Sequence, residues 1–162
     1  MAQHLITYYE DGNHTMDFPS QSSFREQIRS VHQLLLQVTE QQSQRPFREG
    51  GWSRKEILGH LIDSALNNHQ RFVRAALAGS YDGPSYQQEG WVIIHGYKCM
   101  PWSVLLDHWR GQNELLCEVV ERIPEERLDA LCRVGDGAPV TLRFLVEDYL
   151  VHLHHHVQQI VG

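Results

Sequence analysis

Apolar positions recur at helical spacing in four long stretches of this chain. Phe24, Ile28, Val31, Leu35 and Val38 share one face and predict a first helix over roughly 22–43, opened by a capping box of Ser23 with Glu26. Ser53 and Glu56 form a second capping box, and Trp52 and Ile57 sit where a hydrophobic staple would hold it. The second helix is therefore predicted over about 54–78, with Gly79 as its stop. Trp102, Leu105, Leu106, Trp109, Leu116, Val120 and Ile123 mark a third helix at about 102–122, and Pro124 opens a short turn after it. Thr141 caps a fourth helix at about 142–160, with Val140 and Leu145 as its staple.

The stretches between these helices read differently. Residues 79–101 are rich in Gly, Pro and Tyr and form a long connection, which in a compact domain often carries function. "RVGDGAP" reads as a loop. Asp11-Gly12 lies between β-prone runs and predicts a small N-terminal β-hairpin. Four long helices and no internal repeat predict an all-α four-helix bundle, one domain spanning residues 1–162.

Two of the helices break the rule that a bundle helix buries an apolar stripe. With His60 at zero and about 100° per residue, Asp63 falls near −60°, Ser64 near +40°, Asn67 near −20° and Arg71 near +20°. This polar face runs about 16 Å along the helix. Arg54, Lys55, Gln70 and Arg74 on the other side make a better solvent face, so the stripe is expected to point inward or into a cleft. The fourth helix carries "LVHLHHHVQQI", a histidine run broken by Leu153 and flanked by apolar residues, unlike an appended tag. His152 and His156 stack one turn apart, the spacing at which two imidazoles reach one ion. His154 lies about 160° from His156 and is not expected to be a ligand.

A catalytic metal commonly has three protein ligands and one open position. His60 is the natural third; His95 in the long connection and His108 are rivals, and His69 faces the opposite side from His60. Asp63 and Asp148, each one turn from a histidine of the set, are placed to orient ligand rings from behind. No Glu follows His152 in the zinc-protease position, and the chain has no GxSxG, P-loop or GxGxxG.

Composition narrows the classes. The 162 residues suffice for a full core, and 41% apolar with 21% charged is ordinary for a globular protein. A net charge of −6 gives no support for a nucleic-acid surface. There is no apolar run of membrane-spanning length and no signal-peptide pattern. Cys99, Cys117 and Cys132 form no CxxC pair and fit a reducing cytoplasm. Histidine, at 11 residues, is the outlier.

The segments "GGWSRKEILGHLIDSALNNHQRF" and "VTLRFLVEDYLVHLHHHVQQI", joined by a long loop, resemble the DinB-like superfamily, and within it the YfiT branch of metal-dependent hydrolases and bacillithiol transferases. The resemblance covers roughly residues 45–161. It implies an up-down-down-up bundle, a divalent metal (nickel or zinc above all) on His60, His152 and His156, and a homodimer. It further implies an open position for water or a low-molecular-weight thiol, and a small-molecule substrate. Ser64, Asn67 and Arg71 match a polar stretch common in the branch, and Tyr86 and Trp91 resemble an aromatic-bearing loop beside its site. The chain departs from the branch at Gly59 and at Gln158-Gln159, where histidines are often found. The expected function is a cytoplasmic thiol S-transferase or hydrolase, against a non-catalytic, stress-linked metal-binding bundle with a structural ion.

Overall fold

The computed structural model describes residues 23–162, so the predicted N-terminal hairpin lies outside the described residues. Four long helices form the bundle: α1 (Phe24–Leu35), α3 (Arg54–Ala78), α5 (Trp102–Arg122) and α6 (Leu142–Val161). Helices α1 and α3 each pack against both α5 and α6. Both predicted capping boxes form: Ser23 with Glu26, and Ser53 with Glu56. Gly79, at φ 77°, ends α3 in the left-handed conformation that glycine adopts without strain. Thr141 Oγ1 accepts the Phe144 amide at the start of α6.

The first helix is shorter than its apolar spacing predicts. It stops at Leu35, and α2 (Glu40–Ser43) begins after a break, with its own capping box of Thr39 and Gln42. Thr39 is extended (φ −80°, ψ 160°), which interrupts the helical hydrogen bonds. Tertiary contacts reward the break. The Glu40 carboxylate binds Lys55 Nζ and accepts the Trp102 amide at 2.7 Å, joining the starts of α3 and α5. Lys55 is thereby buried rather than on the solvent face expected for it, its ammonium also donating to the Met100 carbonyl at 2.7 Å.

The 79–101 connection is also more ordered than its composition suggests. It holds β1 (Ser80–Gly83), α4 (Gln88–His95) and a 3-10 turn at Tyr97–Cys99. Strand β1 pairs in parallel with β2 (Leu131–Val134), which pairs antiparallel with β3 (Val140–Thr141). Arg133 and Val134, read as loop, are thus strand. Parallel pairing needs a long crossover, which α4 and α5 supply between β1 and β2, and local patterns do not reveal such a partner. The small sheet fixes the end of α3 beside the start of α6, so the two helices run in opposite directions. At the far end, Arg54 Nε donates to the Ile160 carbonyl at 2.7 Å, from the start of α3 to the end of α6. The first third of α3 therefore faces the last half of α6. No helix among the described residues is long and apolar enough to cross a membrane.

Candidate metal centre

That antiparallel pairing brings His60 to His152 and His156. The potential ligand atoms of these three side chains all lie within 4.8 Å of one another. Ring centroids are 5.0 Å apart for His60–His152, 4.8 Å for His60–His156 and 4.6 Å for His152–His156. His60 Nε2 and His152 Nε2 are 3.0 Å apart. Two nitrogens bound tetrahedrally at about 2.0–2.1 Å would be about 3.3 Å apart, so the donors are already near coordination spacing.

The three rings are chemically prepared as ligands. Burial pushes the pKa of His60 down to about 3, aided by His156. It holds His152 well below its ordinary value, with the other histidines adding to the effect, and takes His156 to about 4. All three are neutral at pH 7, the form that offers a lone pair to a metal. His60 Nδ1 is buried with no hydrogen-bond partner among the described residues. Three neutral imidazoles this close would leave lone pairs facing one another, and a divalent cation satisfies them together.

Sequence reasoning expected Asp63 and Asp148 behind the ligand rings. The structure puts Gln159 there instead. Gln159 Oε1 lies 2.9 Å from His156 Nδ1, and Gln159 Nε2 lies 3.0 Å from His155 Nε2. The Gln159 carbonyl can only accept a hydrogen bond, so this contact favours the tautomer in which Nδ1–H donates and the lone pair of His156 is on Nε2. Gln159 falls on the ligand face of α6, and this spacing was the available clue. Asp148 is half-buried, its carboxyl makes no hydrogen bond among the described residues, and burial pushes its pKa up. Asp63 serves a different neighbour. Its Oδ1 accepts the Tyr97 hydroxyl at 2.6 Å and lies 3.1 Å from His95 Nδ1. Burial pushes this carboxyl up, while the Tyr97 and His95 contacts pull it back.

The other histidines sort clearly. His154 turns to α1, its Nε2 2.8 Å from Gln27 Oε1. His69 is half-buried and His108 exposed, and neither His69, His95 nor His108 joins the cluster. Trp52, expected only as a staple, also packs its ring 5.4 Å from that of His60.

The polar stripe of α3 does turn inward: Asp63, Ser64 and Arg71 are buried and Asn67 is half-buried. Part of its polarity is spent within the helix. Asn67 donates to the Asp63 carbonyl at 2.8 Å and Asn68 to the Ser64 carbonyl at 3.0 Å. Arg71 makes one long contact, 3.4 Å to Asn68 Oδ1, and no carboxylate pairs with its guanidinium among the described residues. Tyr86 and Trp91 pack together at 5.1 Å, and Trp91 in turn meets His95 at 5.8 Å.

Comparison with known proteins agrees with this fold. Residues 23–160 match the model of the DinB superfamily, and the chain belongs to that superfamily. A protein of Oceanobacillus iheyensis named "Putative metal-dependent hydrolase" is 26% identical over 147 residues, covering 82% of this chain and 84% of its own. One of the same name from Geobacillus thermodenitrificans is 23% identical over 145 residues, covering 87% and 80%. Among solved structures, YfiT from Bacillus subtilis, described as a probable metal-dependent hydrolase with an unusual four-helix bundle topology, superposes with a TM-score of 0.74. It shares 19% identity, over 93% of this chain and 91% of its own. A mycothiol-dependent maleylpyruvate isomerase superposes with a TM-score of 0.66 at 14% identity, covering 83% of this chain and 56% of that one. At these identities the two structures share the fold.

Proposed function

We propose that the chain is a metal-dependent enzyme in which His60, His152 and His156 hold one divalent ion, nickel or zinc, that activates a low-molecular-weight thiol or water. The observation that carries this reading is the donor set: three neutral, converging imidazoles, with no fourth His, Cys, Asp or Glu in the group among the described residues. A structural ion closes its coordination with protein, whereas three ligands leave a position for a small molecule. Such an ion supplies Lewis acidity, which draws the pKa of a thiol or water toward neutrality.

The chain's own residues supply the rest. Gln159 fixes the His156 ring, and Trp52 packs beside His60. Ser64, Asn67 and Arg71 offer polar contacts along α3, and the Arg71 fork suits a carboxylate on the thiol or its small-molecule partner. Tyr86 and Trp91, packed together in the 79–101 segment, are assigned to the substrate side of the site. The family resemblance extends the reading to a homodimer.

The test is a conjugation and hydrolysis screen of protein loaded with nickel or zinc, using small thiols with electrophiles, and esters or amides with water. Arg71→Ala is expected to keep its metal and raise KM for a carboxylate-bearing substrate. Inactivity of a fully loaded protein across both panels would contradict the enzyme reading.

A further inference from the structure

Asp63 is a buried carboxyl close to the histidine cluster, and the three histidines do not account for it. It is fully buried, and its Oδ2 has no hydrogen-bond partner among the described residues. An apolar residue of similar size would be cheaper at such a position. Its two contacts both come from the 79–101 segment and both fall on Oδ1: the Tyr97 hydroxyl at 2.6 Å and His95 Nδ1 at 3.1 Å.

Gly59 makes the arrangement possible. A Cβ at this position would lie 2.0 Å from Tyr97 Cδ2, so the Tyr97 ring rests on bare helix backbone immediately before His60. Asp63 and the Tyr97 ring thus lie against α3 within one turn of His60 along the helix, and His95 meets both of them. The His95 ring is held between Trp91, at 5.8 Å, and Tyr97, at 5.0 Å, while its side chain stays 41% exposed. Burial pushes the Tyr97 phenol upward, so it remains a hydrogen-bond donor to the carboxylate.

We propose that His95 is the proton acceptor of this site, with Asp63, Tyr97 and Gly59 as the residues that position it. A histidine whose Nδ1–H is turned toward a carboxylate keeps its lone pair on Nε2, and that carboxylate stabilises the imidazolium formed on protonation. The proposal rests on the thiol branch of the function proposed above. The S–H bond of the thiol breaks, its electron pair stays on sulfur, and the proton passes to His95 Nε2. Nothing is oxidised or reduced.

The experiment uses the full chain loaded with cobalt(II) and 2-mercaptoethanol as the probe. Sulfur-to-cobalt absorption reports thiol at the metal, and calorimetry in buffers of different ionisation enthalpy counts the protons released. The wild type is expected to release fewer protons per thiol bound than His95→Gln, because His95 takes up part of the proton that leaves the thiol. The exposed His108→Gln is expected to match the wild type. Equal proton counts in wild type and His95→Gln, with the absorption band present in both, would overturn the role of His95 alone. No band in the metal-loaded wild type would overturn the thiol reading and the proposal with it. Nitrogen-15 NMR of the unsubstituted protein gives an independent measurement: the Nδ1–H tautomer of His95 is expected, and the Nε2–H tautomer would contradict the proposal.

Discussion

Gln159 Oε1 sits 2.9 Å from His156 Nδ1, one turn further along α6, and so decides which nitrogen of that ring is free. A metal ligand needs both a lone pair and a fixed ring plane, and the amide provides the second while selecting the first. Gln159→Ala is expected to weaken metal binding about 10- to 100-fold, the usual cost of losing such a partner. Competition with a chelator of known affinity measures it, and unchanged affinity would make Gln159 incidental.

Gly59→Ala is expected to destabilise the fold by about 1–3 kcal/mol, the range for overpacking a filled interior. The new methyl group would meet the Tyr97 ring at 2.0–2.6 Å, so the ring or the helix must shift to accommodate it. Thermal denaturation should show the loss, and near-ultraviolet dichroism should show the displaced tyrosine. A melting temperature equal to that of the wild type would mean that Tyr97 moves aside without cost.

Metal-free protein should lose stability in acid through its own ligands. The folded state holds His60 at about 3 and His156 at about 4, below the value of about 6.5 for an unfolded histidine. Between those values the unfolded chain binds more protons, so folding is favoured less as pH falls. The contribution is complete above about pH 6.5 and drains away toward pH 4 and below. Urea midpoints of the metal-free protein from pH 7.5 to 4 should decline accordingly, and a flat profile would contradict the buried, neutral triad.

The parts of this structure that local rules govern were legible in the sequence. The α3 boundaries follow from Ser53, Glu56 and Gly79, and the inward polar face from the spacing of His60, Asp63, Ser64 and Arg71. The clustering of His60, His152 and His156 was legible too, because it needs one HxxxH and one histidine on an antiparallel neighbour. What escaped depends on partners distant in sequence. The β1–β2 pairing joins residues about 50 positions apart. Lys55 looks solvent-facing until Glu40 and the Met100 carbonyl are placed around it. Asp63 looks like a partner for His60 because both lie on one helix face; Gly59, which admits Tyr97, redirects it to the 79–101 segment. The helix break after Leu35 is fixed by the Thr39–Gln42 capping box, which apolar spacing alone does not reveal.

The measurement that bears most directly on the metal centre is the metal content of the wild type and of four single histidine variants, each dialysed against the same zinc or nickel buffer. The wild type is predicted to hold one equivalent per chain. His60→Ala, His152→Ala and His156→Ala should each lose most of it, and His154→Ala, whose ring turns to Gln27, should keep it. Equal losses across all four variants, or full retention by any one of the first three, would contradict a single centre built on His60, His152 and His156.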